Sequence, residues 1–252
     1  MKGLFFAAAA AAVAVLAGCA QGSAPQGHFQ STPVAADGRA DDWAQPLRFT
    51  NPRHTLSFNI TNDNKNLYIV VMTRDSRMQQ RILRAGMDVF FDPGGKQDRH
   101  IDLSYPESNG DSAVFNTSGF LIIENGQFDS RDPHTPLKVA LTHPGDSLLV
   151  YEAIVPLYTV LKRGGLDSKT LRRDFSVGIV VGTLPGEQQQ RQRQGGGGGM
   201  RPHMGMGMGM GGLRGGFGGG GYGGGGNRGG QPTQASQNES NWYTFRFADK
   251  AS

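Results

Sequence analysis

The residues with the clearest capacity for chemistry lie in one short run near the carboxyl-terminal end of the chain. There, thioethers alternate with glycines beside an imidazole, in the set His203, Met204, Met206, Met208 and Met210. Thioether and imidazole ligands suit soft monovalent copper, so these five residues are the sequence's candidates for a Cu(I) site. A repetitive Gly/Met tract can also exist without any ligand, and that alternative stays open.

The common catalytic motifs are missing from the sequence. It contains no Gly-x-Ser-x-Gly, no His-Glu-x-x-His and no Gly-x-x-x-x-Gly-Lys-Ser/Thr. The six histidines are scattered, with no pair at a metal-binding spacing. Carboxylate pairs for glycoside hydrolysis are defined by their separation in space and not by sequence motifs. The sequence therefore predicts a protein that is not an enzyme.

Cys19 is the only cysteine, and it follows a segment typical of exported proteins. One basic residue, Lys2, precedes an uncharged apolar run of 14 residues from Leu4 to Ala17. This run is shorter than the roughly 20 residues that a transmembrane helix needs, but it suits a secretory signal. It ends in the sequence Leu-Ala-Gly-Cys, which resembles the bacterial lipobox.

The lipobox resemblance implies that residues 1–18 are a signal peptide and that Cys19 carries a lipid. Several acyl chains on one residue give stable membrane anchoring, whereas a single chain is marginal. Ala20 follows the cysteine where an acidic residue would retain the protein at the inner membrane, so an outer-membrane location in a Gram-negative bacterium is expected. The alternative is an ordinary signal peptide with a coincidental cysteine.

Two further segments have compositions that do not suit a packed core. Residues 19–33 are rich in Gln, Ser, Gly and Pro and are predicted to be a lipidated, flexible tether. Residues 188–238 contain no acidic residue, and the stretch 195–230 holds 22 of the 39 glycines. This second segment is predicted to be a disordered insertion rich in Gly, Met and Arg.

The positive charge of the chain belongs mainly to that insertion. The formal net charge is +4, but the insertion carries five arginines, and Lys2 lies in the signal peptide. The rest of the chain is therefore about −2. Arg-Gly-Gly pieces at Arg214 and Arg228 resemble RNA-binding segments. The folded part is not basic overall, however, so its charge gives no support to a nucleic-acid-binding domain. We therefore expect no nucleic-acid partner.

The remaining residues, 34–187 with 239–250, are predicted to form one all-β domain. They contain ten short β-type runs separated by turn residues, a pattern typical of an antiparallel, jelly-roll-like β-sandwich. The helix candidates are Ser76 to Ala85 and Pro156 to Arg163. The predicted strands are residues 55–60, 67–72, 87–92, 100–104, 113–116, 120–124, 137–141, 148–154, 175–181 and 242–247. The continuously apolar runs 67–72 and 177–181 are expected to be central strands.

Several short motifs of this domain occur in the order of a known family. VAADGRADDW spans Val34 to Trp43, NDNKNLYIVVMTRD and MDVFFDPGGK follow, and NWYTFRF comes last. This order resembles family 9 carbohydrate-binding modules and their DOMON-like relatives. The resemblance implies a β-sandwich that binds a sugar through loop aromatics and polar side chains.

The resemblance does not assign the sugar-binding positions to particular residues. Trp43, Tyr68 and Phe90 all fit core positions, and we expect Trp43 to cover the sandwich core. The aromatic residues near predicted strand ends are alternatives as sugar ligands, although partial burial explains them equally well. They are Tyr105, Phe115, Phe128 and Tyr158.

The same resemblance implies two alternative bound groups, a structural calcium ion and a haem. Family members often carry structural Ca²⁺, which needs six to eight oxygen ligands. Acidic turns are plentiful, although none has the spacing of a dedicated calcium loop. They are Asp41 with Asp42, Asp63 with Asn62 and Asn64, Asp92 with Asp98, and Asp111 with Glu107. DOMON-like relatives also include haem binders, for which Met72 or His100 would be the axial ligand.

The sequence thus predicts a non-catalytic, membrane-anchored envelope lipoprotein that binds a glycan or an envelope partner. The alternatives are a Cu(I)-handling lipoprotein, which would use residues 203–210, and a structural envelope protein with no small ligand. The oligomeric state stays open.

Overall fold

Two antiparallel sheets pack face to face in the computed structural model, which describes residues 24–106, 112–143, 147–162, 164–185, 187 and 239–250. The strands are β1 (Phe49–Thr50), β2 (Ser57–Asn62), β3 (Asn66–Thr73), β4 (Met87–Asp92), β5 (Ile101–Tyr105), β6 (Val114–Ser118), β7 (Gly126–Asp129), β8 (Lys138–Thr142), β9 (Leu149–Pro156), β10 (Asp174–Val181) and β11 (Glu239–Arg246). The predicted antiparallel β-sandwich is confirmed.

The sheets contain five and six strands. The order is β1-β2-β3-β9-β8 in one sheet and β11-β10-β4-β5-β6-β7 in the other. The strands β3 and β10 each have a neighbour on both sides, so the prediction that the two continuously apolar runs are central strands is confirmed. The described chain contains no helix with the length and apolar character needed to span a bilayer.

Strict alternation along the strands builds the core between the sheets. In β4, the inward residues Met87, Val89 and Phe91 are buried in this core, and Asp88 and Phe90 alternate with them on the other side. A strand places successive side chains on opposite faces, so Asp88 and Phe90 lie on the outer face of the six-stranded sheet.

One helix closes one end of the sandwich. Helix α1 (Ser76–Ala85) has the predicted bounds, and the Asp75 carboxylate caps it by accepting a hydrogen bond from the Met78 amide. Its apolar residues Met78 and Ile82 join the core. Its buried Arg81 donates hydrogen bonds to the carbonyls at the end of β10. We call this end, where β3 and β10 finish, the helix end, and the opposite end the open end.

The first described residues lie at the open end. At the end of β11, the Gly27 amide donates to the Arg246 carbonyl, and the Arg246 amide donates to the Pro25 carbonyl. At the end of β2, Asn62 bonds in the same way with His28 and Gln30. Residues 24–30 therefore bridge the two sheets. This differs from the flexible tether predicted for residues 19–33, because backbone pairing with Arg246 and Asn62 holds a polar segment whose side chains give no sign of a strand.

Residues 34–47 cover the outer face of the five-stranded sheet. Val34, Trp43 and Leu47 pack there against Tyr68 and Val70 of β3, forming a second, smaller apolar cluster. The outer residues of β3 are therefore buried as well as the inner ones, which accounts for the continuous apolar run in this strand.

Two predicted elements are wrong. Residues 120–124 form bends and not a strand, and β7 begins only at Gly126. At Gly119 the backbone turns with φ 74°, and the Leu121 amide then donates to the Thr159 carbonyl instead of to a sheet neighbour. The second predicted helix, Pro156 to Arg163, is reduced among the described residues to one 3₁₀ turn at Leu157–Thr159.

Candidate functional site

The aromatic residues proposed as sugar ligands are not brought together by the fold. Tyr105 and Phe115 are buried in the core, where their rings are 5.8 Å apart, and Phe128 packs half-buried against Phe115. Only Tyr158 is exposed, at the open end. Tyr105 and Phe115 are therefore wrong as sugar ligands, because strand alternation turns them into the core.

Trp43 is buried, with 5% of its surface exposed, and its indole N–H donates to the Glu152 carboxylate at 2.7 Å. The other oxygen of Glu152 accepts the backbone amides of Asp37 and Gly38. Trp43 is buried as expected, but it belongs to the second apolar cluster and does not cover the core between the sheets. Its place is the outer face of the five-stranded sheet, and the Asp37-Gly38 turn helps to hold it there.

Glu152 is only 1% exposed. Burial raises its pKa from the ordinary 4.5 to about 7, while the bonds from Trp43 and Gly38 act in the opposite direction. A buried acid with a raised pKa is a functional-site candidate in general. Here its oxygens are taken up by three donors of the covering segment, so its role is to hold that segment on the sheet.

The outer face of the six-stranded sheet has no such cover among the described residues. Its centre is an aromatic pair on β4 and β11, with a glycine of β10 between them. Gly178 pairs in register with Phe90 on one side and with Trp242 on the other. The rings of Phe90 and Trp242 have centroids 6.2 Å apart and planes inclined by 21°. We call these two rings and Gly178 the aromatic platform.

The indole of Trp242 lies flat on the sheet because residue 178 has no side chain. A Cβ atom at Gly178 would lie 2.7–2.8 Å from three atoms of the six-membered ring. Those three near-equal distances place the ring face-on above the glycine. Both rings are half-buried, so part of each aromatic surface faces solvent.

Charged groups border the platform on the side of β4 and β5. The Arg99 guanidinium carbon lies 5.3 Å from the Phe90 ring centre, in cation–π contact. Ser104 donates a 2.7 Å hydrogen bond to Asp102, which pairs in register with Phe90. Burial raises the pKa of the neighbouring Asp88; Ser104 and Arg99 act in the opposite direction, and the charge of Asp102 reinforces the rise.

Further polar side chains extend the same face. Register and alternation place Asn116, Ser118 and Gln127 beyond β5, and Ser176 and Thr244 beside the platform. The hydroxyls of Ser176 and Thr244 lie 2.7 Å apart. The face therefore combines flat aromatic surface with carboxylates, hydroxyls and amides.

Trp242 also borders a cavity of about 520 Å³ between the edges of the two sheets. Arg48, Phe49 and Tyr243 line this cavity together with Asn241. The Nδ2 atom of Asn241 is buried and has no hydrogen-bond partner in the described part of the chain. Because Asn241 alternates with Trp242 along β11, its side chain lies on the opposite face of the sheet from the platform.

A second cavity, of about 600 Å³, lies at the open end. Phe175, Phe247 and Leu161 contribute apolar walls, and Lys162 and Arg173 contribute charge. His100 lines this cavity, whereas Met72 borders a separate one of about 420 Å³ at the helix end. The two alternative haem ligands therefore lie at opposite ends of the sandwich, in different sheets.

The described acidic turns are organised by their own backbone. Asp63 accepts the amides of Lys65 and Asn66, and Asp92 accepts those of Gly94, Lys96 and Asp98. Within the described ranges, no three His, Cys, Asp or Glu side chains form a group that could hold a metal ion. Asp111 and Glu107 lie outside those ranges.

The other predicted sites also lie outside the described residues. These are the signal peptide (1–18), the lipidation site Cys19, the insertion 188–238, and the copper candidates His203, Met204, Met206, Met208 and Met210. The Cu(I) site and the lipid anchor stay predictions.

Sequence reasoning missed the aromatic platform. Phe90 was expected to fit the core, and it instead faces outward, between Val89 and Phe91, which face inward. The signal that could have found the platform is the alternation of NWYTFRF, which puts Trp242, Thr244 and Arg246 on one face. A glycine in the middle of the apolar run of β10 was the second signal.

Comparison with known proteins found distant structural similarities. No protein-family model and no curated protein sequence matches the chain. A family 9 carbohydrate-binding module from Caldicellulosiruptor kristjanssonii is similar in its complexes with glucose (15% identity, TM-score 0.35) and with cellotriose (13%, 0.37). Each alignment covers 62% of this chain, and 76% and 75% of the module respectively. A protein of known structure from Bacteroides uniformis shares 11% identity at a TM-score of 0.33, over 63% of this chain and 82% of its own.

Proposed function

We propose that the protein is a non-catalytic, membrane-anchored envelope lipoprotein whose β-sandwich binds a glycan on the aromatic platform. The observation that carries this proposal is the indole of Trp242, which lies flat over Gly178 and nearly parallel to Phe90. Sugar rings with equatorial substituents have flat faces rich in C–H groups, and such faces stack on aromatic rings.

The surroundings of the platform supply the polar half of sugar recognition. Hydroxyl groups need both donors and acceptors, because a polar group that loses water without a partner weakens binding. Asp88 and Asp102 supply acceptors, and Arg99 supplies donors. A linear glycan with equatorial linkages therefore fits this face.

Anchoring rests on the sequence Leu-Ala-Gly-Cys and on the apolar run before it. We place the lipid on Cys19 and the protein in the outer membrane of a Gram-negative bacterium. Mass spectrometry of the mature amino terminus tests this part independently of glycan binding. A free Cys19 thiol would refute the anchor and leave the platform untouched.

Calorimetric titration of the detergent-solubilised full chain tests glycan binding. The panel should contain linear β-linked gluco- and chito-oligosaccharides, with α-linked oligosaccharides of the same length as comparators. We expect saturable heat with an equatorially linked glycan, lost in Phe90→Ala and retained in Lys162→Ala, which alters the other cavity. Equal loss in both variants, or binding only to α-linked glycans, would contradict the platform as the site.

A further inference from the structure

Among the described residues, the large hydrophobic side chains that are exposed all lie at the open end. Leu121, Ile122 and Tyr158 are 43%, 66% and 43% exposed. They lie in two neighbouring connections, because the Leu121 amide donates to the Thr159 carbonyl at 2.9 Å. Isolated exposed apolar residues need no explanation, but a cluster of three at one end of a domain indicates an interaction surface.

Basic side chains accompany this cluster. The connection between β9 and β10 carries four exposed basic residues in its described part, Lys162, Lys169, Arg172 and Arg173. Its acidic residue, Asp167, caps Thr170 by accepting from that residue's amide and hydroxyl. Apolar side chains surrounded by cations suit the interface of a bilayer with anionic headgroups.

The chain also enters the sandwich at this end. The Ala24 carbonyl accepts a hydrogen bond from Arg246, and the following residues bridge the ends of β11 and β2. Cys19 precedes Ala24 by five residues. Five residues span at most about 18 Å even when fully extended. A lipid on Cys19 would therefore keep the open end next to the membrane surface.

We propose that the open end docks on the lipid bilayer, with Leu121, Ile122 and Tyr158 in the headgroup region. This inference rests on the proposed lipidation of Cys19. The short chain selects which end faces the membrane, and the basic connection complements anionic lipids.

Docking in this orientation gives the cavity at the open end and the aromatic platform different surroundings. The 600 Å³ cavity, which Leu121 lines, opens towards the lipid. Trp242 is four residues before Arg246 on the same strand, about 14 Å further from the open end. The aromatic platform therefore stands beside the membrane and stays accessible to a glycan.

Site-specific fluorescence of the lipidated full chain in vesicles of phosphatidylethanolamine and phosphatidylglycerol tests the docking. Ile122→Cys places a thiol-reactive, polarity-sensitive dye at the open end, and the matched control Gln80→Cys places it on the exposed face of α1 at the helix end. The native thiol is blocked when Cys19 is lipidated, so each variant accepts one dye. We expect a blue-shifted emission at position 122, and quenching by headgroup-labelled lipid several-fold stronger than at position 80.

Equal emission and quenching at both positions, with Cys19 lipidated, would overturn the docking and leave the proposed anchor intact. Two dyes per chain would reveal a free Cys19, which refutes the anchor and the docking together. Protection of position 122 that depends on protein density and not on the lipid quencher would identify a second copy as the occupant and would also overturn the inference.

Discussion

The outer faces of the two sheets carry the two tryptophans of the chain in contrasting settings. On the five-stranded sheet, Trp43 is buried, and its N–H is bound to Glu152 beneath the covering segment 34–47. On the six-stranded sheet, Trp242 lies over Gly178 with part of its ring open to solvent. The comparison shows that the same side chain serves stability where its polar atom is satisfied internally, and suits ligand binding where its face stays open.

The largest effect that separates the two faces is expected from Trp43→Ala. Loss of a buried tryptophan typically costs about 4 kcal/mol of folding free energy, and here it also removes one donor from Glu152. Denaturant unfolding measures the loss. The matched variant Trp242→Ala should lose less than half as much. Similar losses in the two variants would contradict the claim that Trp43 contributes more to stability than Trp242 does.

Glu152 is expected to make the covered face sensitive to pH. Its pKa in the folded protein, about 7, exceeds the ordinary 4.5, so its contribution to stability is complete below pH 4.5 and is lost as the pH rises through 7. This difference in pKa corresponds to at most about 3 kcal/mol of stability. Unfolding of the natural chain and of Glu152→Gln should be compared across this range. The stability of the natural chain relative to the variant should fall with rising pH, and parallel profiles would refute the assignment.

Trp242→Ala is expected to weaken glycan binding by roughly 30-fold, or about 2 kcal/mol, because it removes the central stacking surface. Calorimetry measures the change in Kd. Tyr158→Ala, which removes an exposed aromatic at the open end, is the matched control and should bind as the natural chain does. A loss in the Tyr158 variant with none in the Trp242 variant would move the site to the open end.

The smallest effect is expected from Gly178→Ala. The added methyl group would meet the indole ring at 2.7–2.8 Å and push it off the sheet. We expect several-fold weaker glycan binding with a stability change of about 1 kcal/mol. Gly165→Ala, which adds the same methyl group in open space outside the platform, is the matched control. Unchanged binding in Gly178→Ala would show that the flat position of the ring is not required.

Much of the fold was predictable because local patterns determine it. Helix α1 has the predicted bounds, since the Asp75 cap and the spacing of Met78 and Ile82 are sequence signals. Residues 120–124 were predicted wrongly as a strand because the chain leaves the sheet at Gly119, which buries Phe120 and leaves Leu121 and Ile122 exposed at the open end. Apolar content alone does not distinguish these two arrangements.

The candidate site was less predictable. Alternation shows that the side chains of Phe90 and Trp242 face the opposite side of the sheet from their neighbours along each strand. It does not show which face of a sheet another segment will cover. That depends on residues 34–47, which reach across to Glu152 more than a hundred positions away. Long-range coverage of this kind has no local signal, so the half-buried and the buried tryptophan look alike in sequence.

Tryptophan fluorescence during glycan titration tests the central claim most directly, because the chain has only two tryptophans. In Trp43→Phe the emission reports Trp242 alone, and in Trp242→Phe it reports Trp43 alone. We predict a saturable emission change in the first variant, with a Kd near that of the natural chain, and none in the second. A change confined to the Trp242→Phe variant would contradict the assignment of the aromatic platform as the glycan-binding surface.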